Sequence, residues 1–413
     1  MPEVAGVNQR SDVTGLWSPE FRERRLPAAV LIAVGLAVIA SVLMWETGRG
    51  PDDAPGGDYP AFYGAGRIVL DGDMADLYSL DRQAEAQRGL FGDEERDAAW
   101  YFAYPPQIAV VYAPLAALPY GWSYLVHTLL MALALAATVR LLQPMVPWLE
   151  GRFLPALAAS LVFWPMFRAV TGGSNPALTG LLIVGAWRLV RDERPYLGGM
   201  VLALLWYKPQ IALPLLGLFF VARRWRVVAG AAAVTVPFWM WGSALLGWGW
   251  VGDWAHLAGD FGRLDAEING HSAISWLGFL QNWLGVDNTV AAVAGWGCAA
   301  LTALALAWLW ARRGRGGLDG ALAVAIPGIL LISPHAMSHE SAIVLITVAV
   351  VLQRARGPRW MVAVVWLLGL AQVFILALGF SPGFVLLLVL LGWALVVFRG
   401  DLLGPGPAAA AVS

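Results

Sequence analysis

The stretch LGGMVLALLWYKPQIALPLLGLFFVA, residues 197–222, carries a single ionisable side chain, Lys208, in an otherwise apolar run. A helix needs about 20 apolar residues to cross a bilayer, so this run is long enough to span one. An ammonium group inside it costs from about 2.5 kcal/mol upward and is expected to face the protein interior and a partner. Pro209 removes a backbone donor beside it and favours an opened helix there. Lys208 is also the only lysine in the chain. It reads either as a ligand for substrate or as a structural cation paired to a carbonyl or an acid. The ligand reading is favoured, because a lysine-poor chain has arginine for ordinary surface pairs.

Working outward, the same texture runs through all 413 residues, which are 59% hydrophobic and 13% charged. Soluble domains lie nearer 45–50% apolar and about 25% charged, so a water-soluble globule is excluded. Apolar runs at 26–45, 106–118, 120–142, 153–170, 176–190, 197–222, 227–246, 289–311, 318–332, 341–353, 360–378 and 382–398 predict an all-α polytopic membrane protein of about 12 spans, with 106–118 and 341–353 short for a complete crossing. A net charge of −1 gives no basic field for nucleic acid, so no nucleic-acid partner is expected. The lone Cys298 permits no internal disulfide, thiol pair or cysteine metal cluster. The 22 tryptophans suit a chain with two long membrane interfaces. Abundant Ala, Gly and Arg point to a GC-rich bacterial genome.

Charge orients the spans. Residues 1–25 end in Arg22-Glu23-Arg24-Arg25, which predicts a cytoplasmic tail before an uncleaved first span. Basic clusters at 223–226, 312–315 and 354–356, and the tail at 400–413, then fall inside. The acidic segment 46–102 and the loop 247–288 fall outside. Within 46–102, helical patterns at 59–70 and 77–90 predict amphipathic helices along the membrane surface. The cluster Arg191-Asp192-Glu193-Arg194 falls outside and breaks the rule. No internal repeat is evident, and residues 26–399 read as one domain.

Three polar concentrations stand out. Gly56-Gly57-Asp58-Tyr59-Pro60-Ala61-Phe62-Tyr63 sets a carboxylate on a turn at the water–lipid boundary, where it is placed to take a proton. The competing reading, commoner in proteins at large, is an N-cap for the helix that follows. Ser333-Pro334-His335-Ala336-Met337-Ser338-His339-Glu340 carries two histidines four apart and a carboxylate. A metal site is the minority reading, and the His-Glu-x-x-His order of metalloproteases is absent. The imidazoles suit donation to a phosphate or orientation of a sugar hydroxyl. The third group, Glu267 to Ser272 with His271, precedes Trp276, Phe279 and Trp283, and suits a sugar or an interface belt. Thr171-Gly172-Gly173-Ser174-Asn175-Pro176 reads as a turn, and the span count puts it on the cytoplasmic side, away from Asp58, unless the neighbouring runs are re-entrant.

The order Gly57-Asp58-Tyr59, Tyr104-Pro105-Pro106, Gly173-Ser174-Asn175, Lys208-Pro209 before an Arg-Arg-Trp-Arg loop, then Ser333-Pro334-His335, resembles glycosyltransferase family 87 over residues 56–355. Many relatives have Gly-Gln-x-Asn where this chain has Gly-Ser-Asn. The resemblance implies a GT-C membrane bundle and a polyprenyl-phosphate-mannose donor. It also implies a glycolipid acceptor, narrowly a phosphatidylinositol mannoside extended by an α-1,2 linkage. The site would lie on the periplasmic side of the plasma membrane, with Asp58 as general base and no metal or cofactor. Lys208 and His335 would stabilise the leaving phosphate. Tyr63, Tyr104, His271, His339 and Glu340 complete the expected substrate-binding set. The competing class is a transporter or flippase for a lipid-linked sugar, which usually rests on repeated halves and a midplane site.

Overall fold

A computed structural model describes residues 57–90, 100–313, 317–354 and 360–403. The expected first span 26–45, both terminal tails beyond these limits and the acids at 52, 53 and 93–97 lie outside the described residues. The described chain is helical throughout; its strand-like feature is an isolated antiparallel bridge between Ala273 and Met337. Four helices, Tyr120–Leu142, Trp225–Leu246, Thr289–Arg312 and Trp360–Leu378, are long and apolar enough to cross a membrane. Phe153–Leu161 and Trp164–Thr171 make a fifth candidate, bent by 78°. Shorter apolar helices, among them Pro195–Tyr207, Pro209–Val221, Leu318–Ile332, Ser338–Gln353 and Pro382–Val397, fill the bundle. Proline opens many of these, as at Pro165, Pro176, Pro195 and Pro209, because the first helical turn needs no donor there.

The bundle has two chemically different ends, and the chain shuttles between them. The helix Pro176–Arg191 starts beside Asp58 and ends where Arg191 pairs with Asp319 at 3.3 Å. Trp187 Nε1 also donates to Asp319 at 2.9 Å. Pro195–Tyr207 returns to Lys208 at the Asp58 end, and Pro209–Val221 leads away again to Arg223. Tight turns close the remote end, with Glu193 at φ 58° and Arg223 at φ 54°. Arg354 pairs with Asp401 there as well. The cluster 191–194 therefore lies with the other arginines at the end remote from Asp58.

Two expected spans change for reasons of length and breakage. Residues 197–222 are not one crossing but two helices that meet at Lys208, whose φ of −126° and ψ of 78° leave the helical region. Pro106–Ala116 is only about 16 Å long, too short for a hydrocarbon core of about 30 Å. Both of its ends stay against the helix Tyr59–Asp71: Tyr104 packs on Phe62 at 4.8 Å, and Leu118 O accepts from Tyr63 Oη at 3.1 Å. Tyr59–Asp71 packs one face against protein. Its Tyr59, Phe62, Ala65 and Ile68 are buried in a satellite core with Phe102 and Tyr112. The segment 247–288, expected as a loop, contains the helices Trp250–Asn269 and Trp276–Leu284.

Close backbone approach fastens Pro195–Ala203 to Trp225–Leu246. A Cβ on Gly199 would stand 2.0 Å from Val227 O, and one on Gly230 would stand 2.0 Å from Tyr196 O. Small residues are what allow helices in membranes to meet this closely. Gly230→Ala should therefore destabilise by about 1–3 kcal/mol or more, as overpacking does. Gly217, whose Cβ would meet nothing within 4 Å, should accept alanine without loss. Thermal unfolding of the two variants in detergent checks the pair, and equal midpoints would refute the close crossing.

Candidate active site

Asp58 sits at the N-cap position of Tyr59–Asp71, yet its side chain makes no capping bond. Its carboxylate turns instead to Ser174, whose Oγ donates to Asp58 Oδ2. The backbone is tied to the same turn, since Asp58 N donates to Gly172 O at 2.8 Å. Gly173 makes this fit possible: it has φ +68°, and a Cβ there would stand 2.4 Å from Tyr59 Cβ. The span count places the turn 172–175 away from Asp58 unless its neighbouring runs re-enter, and the structure sets the turn beside Asp58. The 78° break between Phe153–Leu161 and Trp164–Thr171 carries the turn to Asp58.

A chain of charges leads inward from Asp58. His339 Nε2 lies 3.7 Å from Asp58 Oδ2 and 3.6 Å from Glu340 Oε1. Glu340 Oε1 in turn accepts from Lys208 Nζ, and Lys208 is only 1% exposed. The break at Lys208–Pro209 is what aims the lysine sideways. Tyr207, just before it, is held by a 2.6 Å hydrogen bond between its hydroxyl and Thr179 Oγ1. Glu340 and His339 sit on a short 3-10 turn, Ser338–Ile343, which leads into Val344–Gln353. Thus Asp58, Lys208, His339 and Glu340, remote in sequence, converge.

His335 lies on the next wall. Its Nδ1 is 3.7 Å from Asp265 Oδ2 and its ring 5.3 Å from that of Phe261. Burial holds His335 below the usual imidazole range, against the opposing pull of Asp265, so the ring is neutral at neutral pH. Tyr104 is pushed well above the usual phenol range by burial and then by the Asp58 and Glu340 carboxylates, which keeps its hydroxyl a donor. Tyr63 is not part of this group: its hydroxyl is taken by Leu118 and its ring packs edge-on against Tyr120 at 5.1 Å. His271, on the turn Gly270–Ser272, makes no hydrogen bond or ion pair to the cluster among the described residues. Ser174 and Asp265 join the site without having been expected there. For Ser174 the polar turn is visible in the sequence but not its side of the membrane; Asp265 lies in a stretch without a distinguishing pattern. Among the described residues no three His, Cys, Asp or Glu side chains converge as metal ligands.

Below this polar chamber an apolar groove of about 320 Å³ runs between Tyr120–Leu142, the bent pair, Ser338–Gln353 and Trp360–Ala371. Met166 and Ala342 lie at its chamber end, Leu142 and Leu352 at the other. Its volume and apolar lining suit part of a hydrocarbon chain.

The family model of glycosyltransferase family 87 matches residues 102–334. Two curated relatives carry the same description, polyprenol-phosphate-mannose-dependent alpha-(1-2)-phosphatidylinositol pentamannoside mannosyltransferase. That of Mycolicibacterium smegmatis is 29% identical over 291 residues, which cover 67% of this chain and 65% of the relative. That of Mycobacterium tuberculosis is 28% identical over 337 residues, 78% of this chain and 71% of the relative. The match thus spans just under two thirds of the first relative's length. The family match covers more than half of the chain and includes Lys208 and the segment that carries Ser174, so this protein belongs to glycosyltransferase family 87.

Proposed function

We propose that this protein is an inverting mannosyltransferase that moves mannose from β-linked polyprenyl-phosphate-mannose to a glycolipid, a phosphatidylinositol mannoside, in α-1,2 linkage. The descriptions of the two relatives support the donor and the class of acceptor. The observation that carries the mechanism is the Asp58 carboxylate, free of any capping duty and held toward the chamber by Ser174. In the proposed step the acceptor hydroxyl oxygen attacks the anomeric carbon from the face opposite the phosphate. Its proton passes to Asp58 as the new glycosidic bond forms. The bond from the anomeric carbon to the phosphate oxygen breaks, and its electron pair leaves on polyprenyl phosphate. The neutral Tyr104 and His335 are placed to donate hydrogen bonds. Lys208, acting with Glu340, supplies the positive charge that supports the leaving phosphate. The groove takes the polyprenyl tail.

The outer face of the bacterial plasma membrane is the proposed location. The arginine-rich turns gather at the end remote from Asp58, as cytoplasmic loops do. Purified protein incubated with polyprenyl-phosphate-mannose and phosphatidylinositol mannosides should add one hexose to the lipid, detected by mass, with the new linkage α by nuclear magnetic resonance. A β product would overturn inversion. Absence of product together with passage of the donor across a vesicle membrane would favour a flippase instead.

A further inference from the structure

Around the site, three buried oxygen acceptors have no hydrogen-bond partner: Asp265 Oδ2, Glu340 Oε2 and Asn175 Oδ1. Asn175 is 2% exposed and Glu340 7% exposed. Buried acceptors left empty are costly, and a protein retains them where something else supplies the donors. A phosphate ester has no donors to offer these oxygens. A hexose has a hydroxyl for each.

Asp265 is the most informative of the three, because its two oxygens are treated differently. Oδ1 accepts from Asn269 Nδ2 at 2.7 Å, while Oδ2 points toward His335 at 3.7 Å, beyond hydrogen-bond reach. One turn earlier on the same helix, Phe261 tilts its ring against His335 at 5.3 Å, with Tyr101 edge-on at 6.0 Å. The helix Trp250–Asn269 is fixed over the chamber at both ends. Trp250 stacks on Trp239 at 4.9 Å and Trp254 Nε1 donates to Ala103 O at 3.1 Å. Beyond its last turn, Ile274 N donates to Ala336 O at 2.9 Å. A free carboxylate oxygen beside an aromatic ring, on a rigid support, is a combination that reads a sugar: the oxygen accepts a hydroxyl and the ring packs on C–H groups.

We propose that Asp265 is a specificity-determining residue of the sugar subsite, its Oδ2 accepting a hydroxyl of the transferred hexose while Asn269 fixes Oδ1. This rests on the transfer reading above and deepens it. The test measures binding of two probes to full-length protein in nanodiscs: polyprenyl-phosphate-mannose, and polyprenyl phosphate without a sugar. Asp265→Ala should weaken the mannosylated probe about ten- to a hundredfold, the loss of a hydrogen bond to a charged acceptor, and change the sugarless probe by less than about twofold. Asp265→Asn keeps the size and a neutral acceptor and should fall between wild type and alanine; it also decides the matter if the alanine variant does not fold. Equal weakening of both probes would make Asp265 a structural or phosphate-linked residue and overturn the proposal. Unchanged binding of both would mean that water fills the position, and would overturn it equally. A wild-type protein that bound neither probe would instead overturn the transfer reading itself.

Discussion

Asp58→Asn should fold, bind both lipids and make almost no product, with the rate down by about a hundred- to ten-thousandfold, the usual cost of a lost general base. Asparagine keeps the shape and still accepts from Ser174 Oγ, so the loss would report on proton transfer and not on placement. The capping alternative makes the opposite forecast, since asparagine caps helices about as well as aspartate does. That alternative is already weakened by geometry, because the side chain makes no bond to the helix it precedes. Rates in a single-turnover assay, with donor binding measured separately, decide the point. Near-normal turnover by Asp58→Asn would leave the proposed mechanism without its base.

The chemistry of the site is legible in the sequence, and the path of the backbone is not. Asp58, Lys208, His335, His339 and Glu340 can be picked out because charge is expensive in so apolar a chain, so each polar group is conspicuous. Their convergence depends on breaks that a hydropathy average smooths over. Pro209 signals one of them, although residues 197–222 are long and apolar enough to pass for a single crossing. Phe163-Trp164-Pro165 marks the other, where the apolar run bends by 78° and brings Ser174 to Asp58. Pro106–Ala116 passes for a crossing by hydropathy although its length argues against one. Asp265 stays hidden for a different reason. A lone acid in a mixed helix carries no pattern, and only its packing against His335 singles it out.

The buried pair of Lys208 and Glu340 offers the second large effect. Lys208→Met should cost about 3–5 kcal/mol of stability, because Glu340 is left as an uncompensated charge away from water. Adding Glu340→Gln removes that charge and should restore most of the loss, as the two substitutions act on one contact and are not additive. Thermal unfolding of the two single variants and the double variant measures this cycle. The double variant then separates a structural pair from a functional one, which the single variant cannot do if it fails to fold. Glu340 keeps one oxygen free in the chamber, and Lys208 is the ammonium closest to it in the Asp58 chain. The folded double variant is therefore expected to bind polyprenyl-phosphate-mannose about tenfold or more weakly, the scale of a lost charged hydrogen bond, and to transfer little. If it were stable and turned over like wild type, the lysine would be only the partner that its acid requires, and the positive charge for the phosphate would have to come from elsewhere.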